Sequence, residues 1–440
     1  MRLRILGVIL AASLATLVGR GFSGADPSPA FDPPPEDDPA PASTAASAPT
    51  PPPEDAGPAV EWSPELDAAA RSCNRFSIDF YRLASDSAGV SCILSPFSIH
   101  AGLSMTAAGT RGETLAQLQA VLHLPEPGTI AAIGDLGCSY DQGGSPSMIS
   151  VANGLWGRED VAWNEDFMGL LGNRFGGAFH AADFAHDPVG ETAAINAWVA
   201  ERTRAKIDRL LDEPVDPMTG LILVNAIHFS GAWKKQFSKW STTLAPFRRA
   251  DGSEASVAMM NDREHYDYAA FEGFQLIALP YDRQDLEMVV LLPEAPDGLP
   301  AVEARLSADA LLEWRKTARQ EEVGVSLPRF RVTSSVDPKA MLAKLGVTDL
   351  FDPHRADCSG MIDGTKSDVK LYVEEVIHKS FIDVKEEGTE AAASFAAQAR
   401  LLSNHTPRIT FRADRPFLFL IRDSRHDTIL FMGRYGGPEN

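Results

Sequence analysis

The chain has 440 residues, 44% of them hydrophobic, and a formal net charge of -20. That length suits one large domain or two ordinary ones, with enough apolar material for a substantial core. The acidic balance argues against nucleic acid or an anionic membrane surface as a partner.

Residues 1–25 read as an export signal: Arg2 and Arg4 give a positive start, Ile5–Val18 an apolar run too short to span a bilayer, and Ser23-Gly24-Ala25 a small-residue cleavage site. Residues 26–65 follow as a Pro/Ala tract with nine acidic residues and no Lys or Arg. Such a tract cannot bury enough apolar surface to offset its ordering entropy, so it is expected to be a disordered spacer. The folded domain is expected over 66–440. It opens with an amphipathic helix carrying Phe76, Phe80, Tyr81 and Leu83, then a short strand at Cys92-Ile93-Leu94. A helix is expected from Ser98, with Leu103 and Met105 inward, and more helix over Thr114–Leu122. Ile149–Trp156 reads as a strand, Glu191–Leu211 as a helix with Ile195, Trp198, Val199 and Ile207 at helical spacing, and Leu221–Phe229 as an apolar strand. Strands then dominate, with turns at Asp251-Gly252 and Pro296-Asp297-Gly298 and strong strands at Val376–Val384 and Phe411–Arg422. Helices crowd the first half and strands the second, which predicts an α+β fold.

Between those last two strands lies Glu386–Ser403, which alternates like a strand although it is rich in Ala. Thr389, Ala391, Ala393, Phe395, Ala397 and Ala399 share one face; Glu390, Ala392, Ser394, Ala396, Gln398 and Arg400 share the other. Small residues give little to hold such a segment in place, so it suits a loop that later enters a sheet. Catalytic signatures are missing: there is no Gly-x-Ser-x-Gly, no His-Glu-x-x-His and no P-loop. Gly19-x-Gly21-x-x-Gly24 lies in the export signal with no strand before it. His180 and His186 flank Asp183 at no recognised metal spacing, so no metal and no cofactor are expected. Cys73, Cys92, Cys138 and Cys358 are too sparse for a disulfide scaffold and read mostly as small core residues, with one bridge conceivable among three complete pairings.

The run Glu386-Glu387-Gly388-Thr389-Glu390-Ala391-Ala392-Ala393 resembles the hinge of the serpins, a family of serine protease inhibitors. Collinear segments extend the resemblance over most of the chain: Ser95-Pro96-Phe97-Ser98-Ile99, Leu223–Phe229 with Gly231-Ala232-Trp233, Leu279-Pro280-Tyr281, Leu327-Pro328-Arg329-Phe330, His378-Lys379 and Ala413–Phe419. The resemblance implies helices around a large mixed central sheet, two smaller sheets and an exposed reactive loop. It also implies a non-enzyme: a secreted, monomeric suicide inhibitor that a target protease attacks to form a covalent acyl-enzyme. The residue before the attacked bond lies fourteen positions after the hinge Gly in the inhibitory pattern, which from Gly388 gives Leu402 followed by Ser403. This is a Leu-Leu-Ser centre of antichymotrypsin-like type, suited to chymotrypsin-like, cathepsin G-like or subtilisin-like enzymes, with Arg400 the runner-up. The sequon at Asn404 is expected to stay unused beside that bond. Further implied are a buried cluster of Ser95, Ser98, Asn153, Asn225 and His378 beneath the sheet, and Trp233 at the end where insertion starts. Thr389 is expected to be exposed until the loop inserts. Leu122–Ser147 has no Lys or Arg, so no heparin response is expected. The alternative is a non-inhibitory binding protein or chaperone on the same fold.

Overall fold

The computed structural model describes residues 63–87, 90–125, 128–140, 148–176, 179–283, 285–366, 369–389 and 408–438. Residues 1–25, expected to be an export signal, nearly all of the acidic tract over 26–65, Glu390–Ala393, and the Leu402–Ser403 bond with its neighbouring sequon therefore lie outside the described residues. The helices are α1 (Pro64–Ser87), α2 (Pro96–Gly109), α3 (Gly112–Val121), α4 (Gly128–Tyr140), α5 (Glu165–Arg174), α6 (Pro188–Arg202), α7 (Leu299–Arg305), α8 (Ala308–Thr317) and α9 (Pro338–Leu345). The strands are β1 (Cys92–Leu94), β2 (Met148–Arg158), β3 (Phe179–Ala182), β4 (Leu221–Ala232), β5 (Thr243–Arg248), β6 (Glu254–Phe271), β7 (Phe274–Pro280) and β8 (Leu286–Pro293). They continue with β9 (Arg319–Pro328), β10 (Phe330–Val336), β11 (Glu375–Lys385), β12 (Gly388–Thr389), β13 (Ile409–Arg412), β14 (Phe417–Asp423) and β15 (Thr428–Tyr435). This is the expected α+β class.

A mixed sheet runs β10-β11-β12-β4-β2-β3. A second path runs β1-β15-β14-β8-β7-β6-β9-β13, with β5 added on β6. The 18-residue β6 pairs with β5, β7 and β9 and so joins what would otherwise be separate smaller sheets. Strand alternation divides β4 between two cores. Leu223, Ile227 and Phe229 enter the main core with α1 and α2, while Ile222, Val224 and Ala226 meet α6 on the opposite face. Among the described residues no helix is long and apolar enough to cross a membrane.

Several boundaries differ from the sequence reading, each for a local reason. α2 begins at Pro96 because Ser95 caps it, its Oγ accepting from Ser98 N, and Pro suits the first helical position. Buried along nearly its whole length, α2 has no polar face for periodicity to reveal. The helix expected over Glu191–Leu211 stops at Arg202, where the fully buried Thr203 returns its Oγ1 to Val199 O and the backbone turns left-handed at Arg204 and Ala205. The strand expected over Phe411–Arg422 is two, β13 and β14, parted where Pro416 cannot donate to a ladder. The sequence reading missed α4, α5, α7, α8 and α9; of these α5, α8 and α9 carry side-chain caps at Asn164, Ser307 and Asp337. No cysteine forms a disulfide: Cys73, Cys92 and Cys358 are core residues, and Cys138 is exposed.

Candidate functional site

The site is the seam between β11 and β4. Over its first half these strands pair in parallel, from Glu375 opposite Ile222 to Lys379 opposite Ala226. β2 pairs with β4 on the other side, placing Asn153 opposite Asn225. Register alone thus lines up Asn153, Asn225 and His378 across three strands. Their side chains point to the face covered by α2, whose N-terminus brings Ser95 and Ser98.

The five residues form one network. His378 Nδ1 donates to Asn225 Oδ1 at 2.5 Å. Asn225 Nδ2 donates to Ser98 Oγ at 2.7 Å and to Asn153 Oδ1 at 2.6 Å, and Ser98 Oγ donates to Asn153 Oδ1 at 2.8 Å. The remaining ring nitrogen of His378, Nε2, accepts from Ser95 N at 3.2 Å and from Ser380 Oγ at 2.7 Å. Ser95 Oγ donates to Leu430 O on β15. This fixes the neutral Nδ1–H tautomer, since a proton on Nε2 would face the Ser95 N–H. Burial holds the His378 pKa down to about 3. Ser380 went unnoticed in the sequence; its only signal is its position two residues from His378, on the same strand face.

Beyond Lys379 and Ala226 the seam opens. Residues 380–383 of β11 and 227–230 of β4 do not pair with each other, and at the far end β12 lies between the strands. Gly388 sits opposite Lys385 and Ala232, and Thr389 opposite Val384 and Gly231. Gly388 makes this entry possible. Its φ is +146°, and a Cβ there would lie 2.0 Å from Gly231 O. Thr389 corrects an expectation: it is already fully buried, and its Oγ1 is 2.8 Å from Tyr281 Oη. Trp233 stacks on Tyr281 at 4.6 Å and 10°, and its Nε1 donates to Lys385 O at 2.9 Å.

Charge holds the two hinge carboxylates outside this aromatic stack. The buried Glu386 side chain receives Thr242 Oγ1 at 2.6 Å and Arg329 Nε at 2.6 Å, while Lys239 pairs with Glu387. Burial pushes the Glu386 carboxyl up, but the Arg329 and Thr242 bonds outweigh it and leave the pKa below its usual value. Arg329 and Tyr281 both lie in segments singled out from the sequence, yet neither was assigned to the hinge. Elsewhere, His180 stacks on Trp156 at 4.4 Å, and His186 bonds Asp183 at 2.8 Å. Among the described residues no three His, Cys, Asp or Glu side chains are grouped to hold a metal.

A family profile described as Serpin (serine protease inhibitor) matches residues 71–438. The chain belongs to the serpin family. It is 37% identical over 384 residues to human leukocyte elastase inhibitor, covering 85% of this chain and all of that relative. It is 34% identical over 380 residues to human antithrombin-III, covering 84% of this chain and 82% of the relative. Among solved structures, the native state of the thermophilic serpin tengpin superposes with a TM-score of 0.76 at 26% identity, covering 86% of this chain and 95% of that one. Serpins are a family of protease inhibitors rather than of catalysts, and serine proteases are the partners the family description names.

Proposed function

We propose that this serpin is a secreted, irreversible suicide inhibitor of chymotrypsin-like, cathepsin G-like or subtilisin-like proteases, with Leu402–Ser403 as the attacked bond. On this reading residues 1–25 are the export signal, 26–65 a spacer and 66–440 the inhibitor, which works as a monomer in the extracellular space or the periplasm. The supporting observation is the position of β12: the start of the reactive loop already lies between β4 and β11, leaving a seam that more strand can fill.

The protease's serine oxygen attacks the Leu402 carbonyl, the Leu402–Ser403 C–N bond breaks, and the Ser403 amine leaves with a proton from the protease's histidine. An ester now joins Leu402 to the protease. The freed loop extends β12 along the seam, with Ala391, Ala393 and Phe395 following Thr389 onto the buried face. Insertion of a serpin loop is itself a known example of strain release. A strand between β4 and β11 moves them from one strand spacing apart to two, about 9.6 Å, so the His378–Asn225 bond must break. About a dozen new strand hydrogen bonds, at ~0.5–1.5 kcal/mol net each, supply on the order of 10 kcal/mol. Phe395 adds roughly 1.5–3 kcal/mol by burial. Carrying the tethered protease along the sheet distorts its catalytic site and stalls hydrolysis of the ester. The lack of Lys and Arg in α4 supports inhibition that does not depend on heparin.

Mixing the protein with chymotrypsin, subtilisin and trypsin, followed by denaturing gels and mass spectrometry, tests this reading. We expect an SDS-stable complex with the first two and a released fragment beginning at Ser403. A fragment beginning at Leu401 would move the bond to Arg400. Simple cleavage without a complex would favour the non-inhibitory binding protein.

A further inference from the structure

The hinge run carries three carboxylates, and two of them already have a cation: Arg329 for Glu386 and Lys239 for Glu387. The third, Glu390, is the residue after β12, and strand register fixes where it goes on insertion. β12 is antiparallel to both neighbours, with Gly388 opposite Lys385 and Ala232, and Thr389 opposite Val384 and Gly231. Each added residue steps one position back along β11 and β4. Glu390 therefore comes opposite Asp383 and Ser230, and Ala391 opposite Ile382 and Phe229, which are buried in the main core.

Residues directly opposite in an antiparallel pair share a face, with Cβ atoms about 4.5–5.5 Å apart, and like charges there repel. Asp383 is buried and ionised: burial pushes its carboxyl pKa up, but bonds from Lys385 and Arg331 outweigh that and leave it below the usual value. Arg331 lies directly opposite on β10 and donates its Nη2 to Asp383 Oδ2 at 2.8 Å, while Lys385 Nζ is 2.6 Å from the same oxygen. Entry of Glu390 sets two carboxylates side by side, and Lys385 is placed to meet both. It lies two residues along β11 on the Asp383 face, diagonal to the incoming Glu390, and its side chain is 44% exposed. Arg331 is on the far side of Asp383, two strand spacings from Glu390, about 9.6 Å.

We infer that Lys385 is a positioning residue for insertion: its ammonium group bridges Asp383 and the entering Glu390, so that charges alternate from Arg331 through Asp383 and Lys385 to Glu390. The inference rests on the insertion reading above and assigns the first step of that insertion to one side chain. Without the ammonium group, the Asp383 carboxylate repels Glu390 as the first residue beyond β12 enters. Insertion then slows, and more of the ester is hydrolysed by water before the protease is trapped.

The test is Lys385→Glu in the full-length protein, alone and combined with Glu390→Lys, read as the ratio of cleaved inhibitor to SDS-stable complex with chymotrypsin or subtilisin. Lys385→Glu puts a third carboxylate beside Asp383 and Glu390 and is expected to raise that ratio about fivefold. Adding Glu390→Lys should return it to within about twofold of the parent. A milder pair keeps the test open if charge reversal impairs folding: Lys385→Gln should raise the ratio about twofold, and Glu390→Gln in the same chain should remove the rise. A rise that the Glu390 variants do not reverse would mean that Lys385 acts through Asp383 or the intact fold. No rise at all would leave Lys385 without a part in insertion. Either result overturns the inference while complex formation by the parent stands. If the parent traps no protease, the insertion reading fails and this inference fails with it.

Discussion

The two halves of the β4–β11 seam are built from opposite chemistry. In the closed half the strands pair directly, and His378, Asn225, Asn153, Ser95 and Ser98 cross-link them through neutral hydrogen bonds, buried except where they reach the half-buried Asn153. In the open half β12 separates them, held by an aromatic stack and by carboxylates paired with Arg329 and Lys239 near the surface. A neutral buried network is insensitive to salt but sensitive to any proton that reaches it; ion pairs near solvent respond to salt, and to acid only once their carboxylates take up a proton. The seam therefore has a lock that responds to pH and a mouth that responds to ionic strength.

The largest effect is expected from blocking the mouth. Ala391→Arg puts a charge on the face that follows Thr389 into the sheet, at a cost of several kcal/mol. Protease should still cut the loop, while the SDS-stable complex disappears; undiminished trapping would show that the loop does not follow β12. Thr389 is the wrong residue for this test, because it is already buried against Tyr281 and an Arg there would also destabilise the intact protein.

Next comes the lock. His378→Ala strands Asn225 Oδ1 and the Ser95 N–H, so the intact protein should lose about 3 kcal/mol of stability at neutral pH by thermal unfolding. The parent should also lose stability in acid. The His378 pKa is depressed from 6.5 when unfolded to about 3 when folded, so the unfolded chain binds the proton first. Stability is complete above pH 6.5 and falls as the pH drops toward 3, by about 2–3 kcal/mol at pH 4.5. His378→Gln should flatten that fall; an unchanged pH profile would place the acid sensitivity elsewhere, with the buried His100 the next candidate.

The smallest effect belongs to Glu386→Gln. Arg329 is 44% exposed, so losing the charge should cost only about 1 kcal/mol. It should reduce the salt dependence of the hinge to what the Lys239–Glu387 pair contributes, while leaving the acid response of His378 intact. Equal salt dependence in parent and variant would remove the electrostatic half of the comparison.

Much of this was legible in the sequence, and the rest was not for identifiable reasons. The hinge run and the members of the His378 cluster could be named because the segments that carry them resemble those of the serpins. What links them is strand register, a long-range property: His378 and Asn225 are 153 residues apart. The early end of α6 was hidden because Ile207, Leu210 and Leu211 keep the apolar character of the helix while packing on β4 beyond its end. The burial of Thr389 was missed because nothing local says how far a loop has entered its sheet; that depends on the backbone contact between Gly388 and Gly231.

The central claim is that cleaving the loop lets β12 grow along the seam, and the unfolding temperature of the cleaved protein tests it most directly. The intact protein and the same protein nicked within Glu390–Ser403 should be melted side by side. A gain on the order of 10 kcal/mol predicts a midpoint higher by roughly 10–15 °C after cleavage. An unchanged or lower midpoint would contradict the claim and leave β12 as a fixed part of a sheet that never opens.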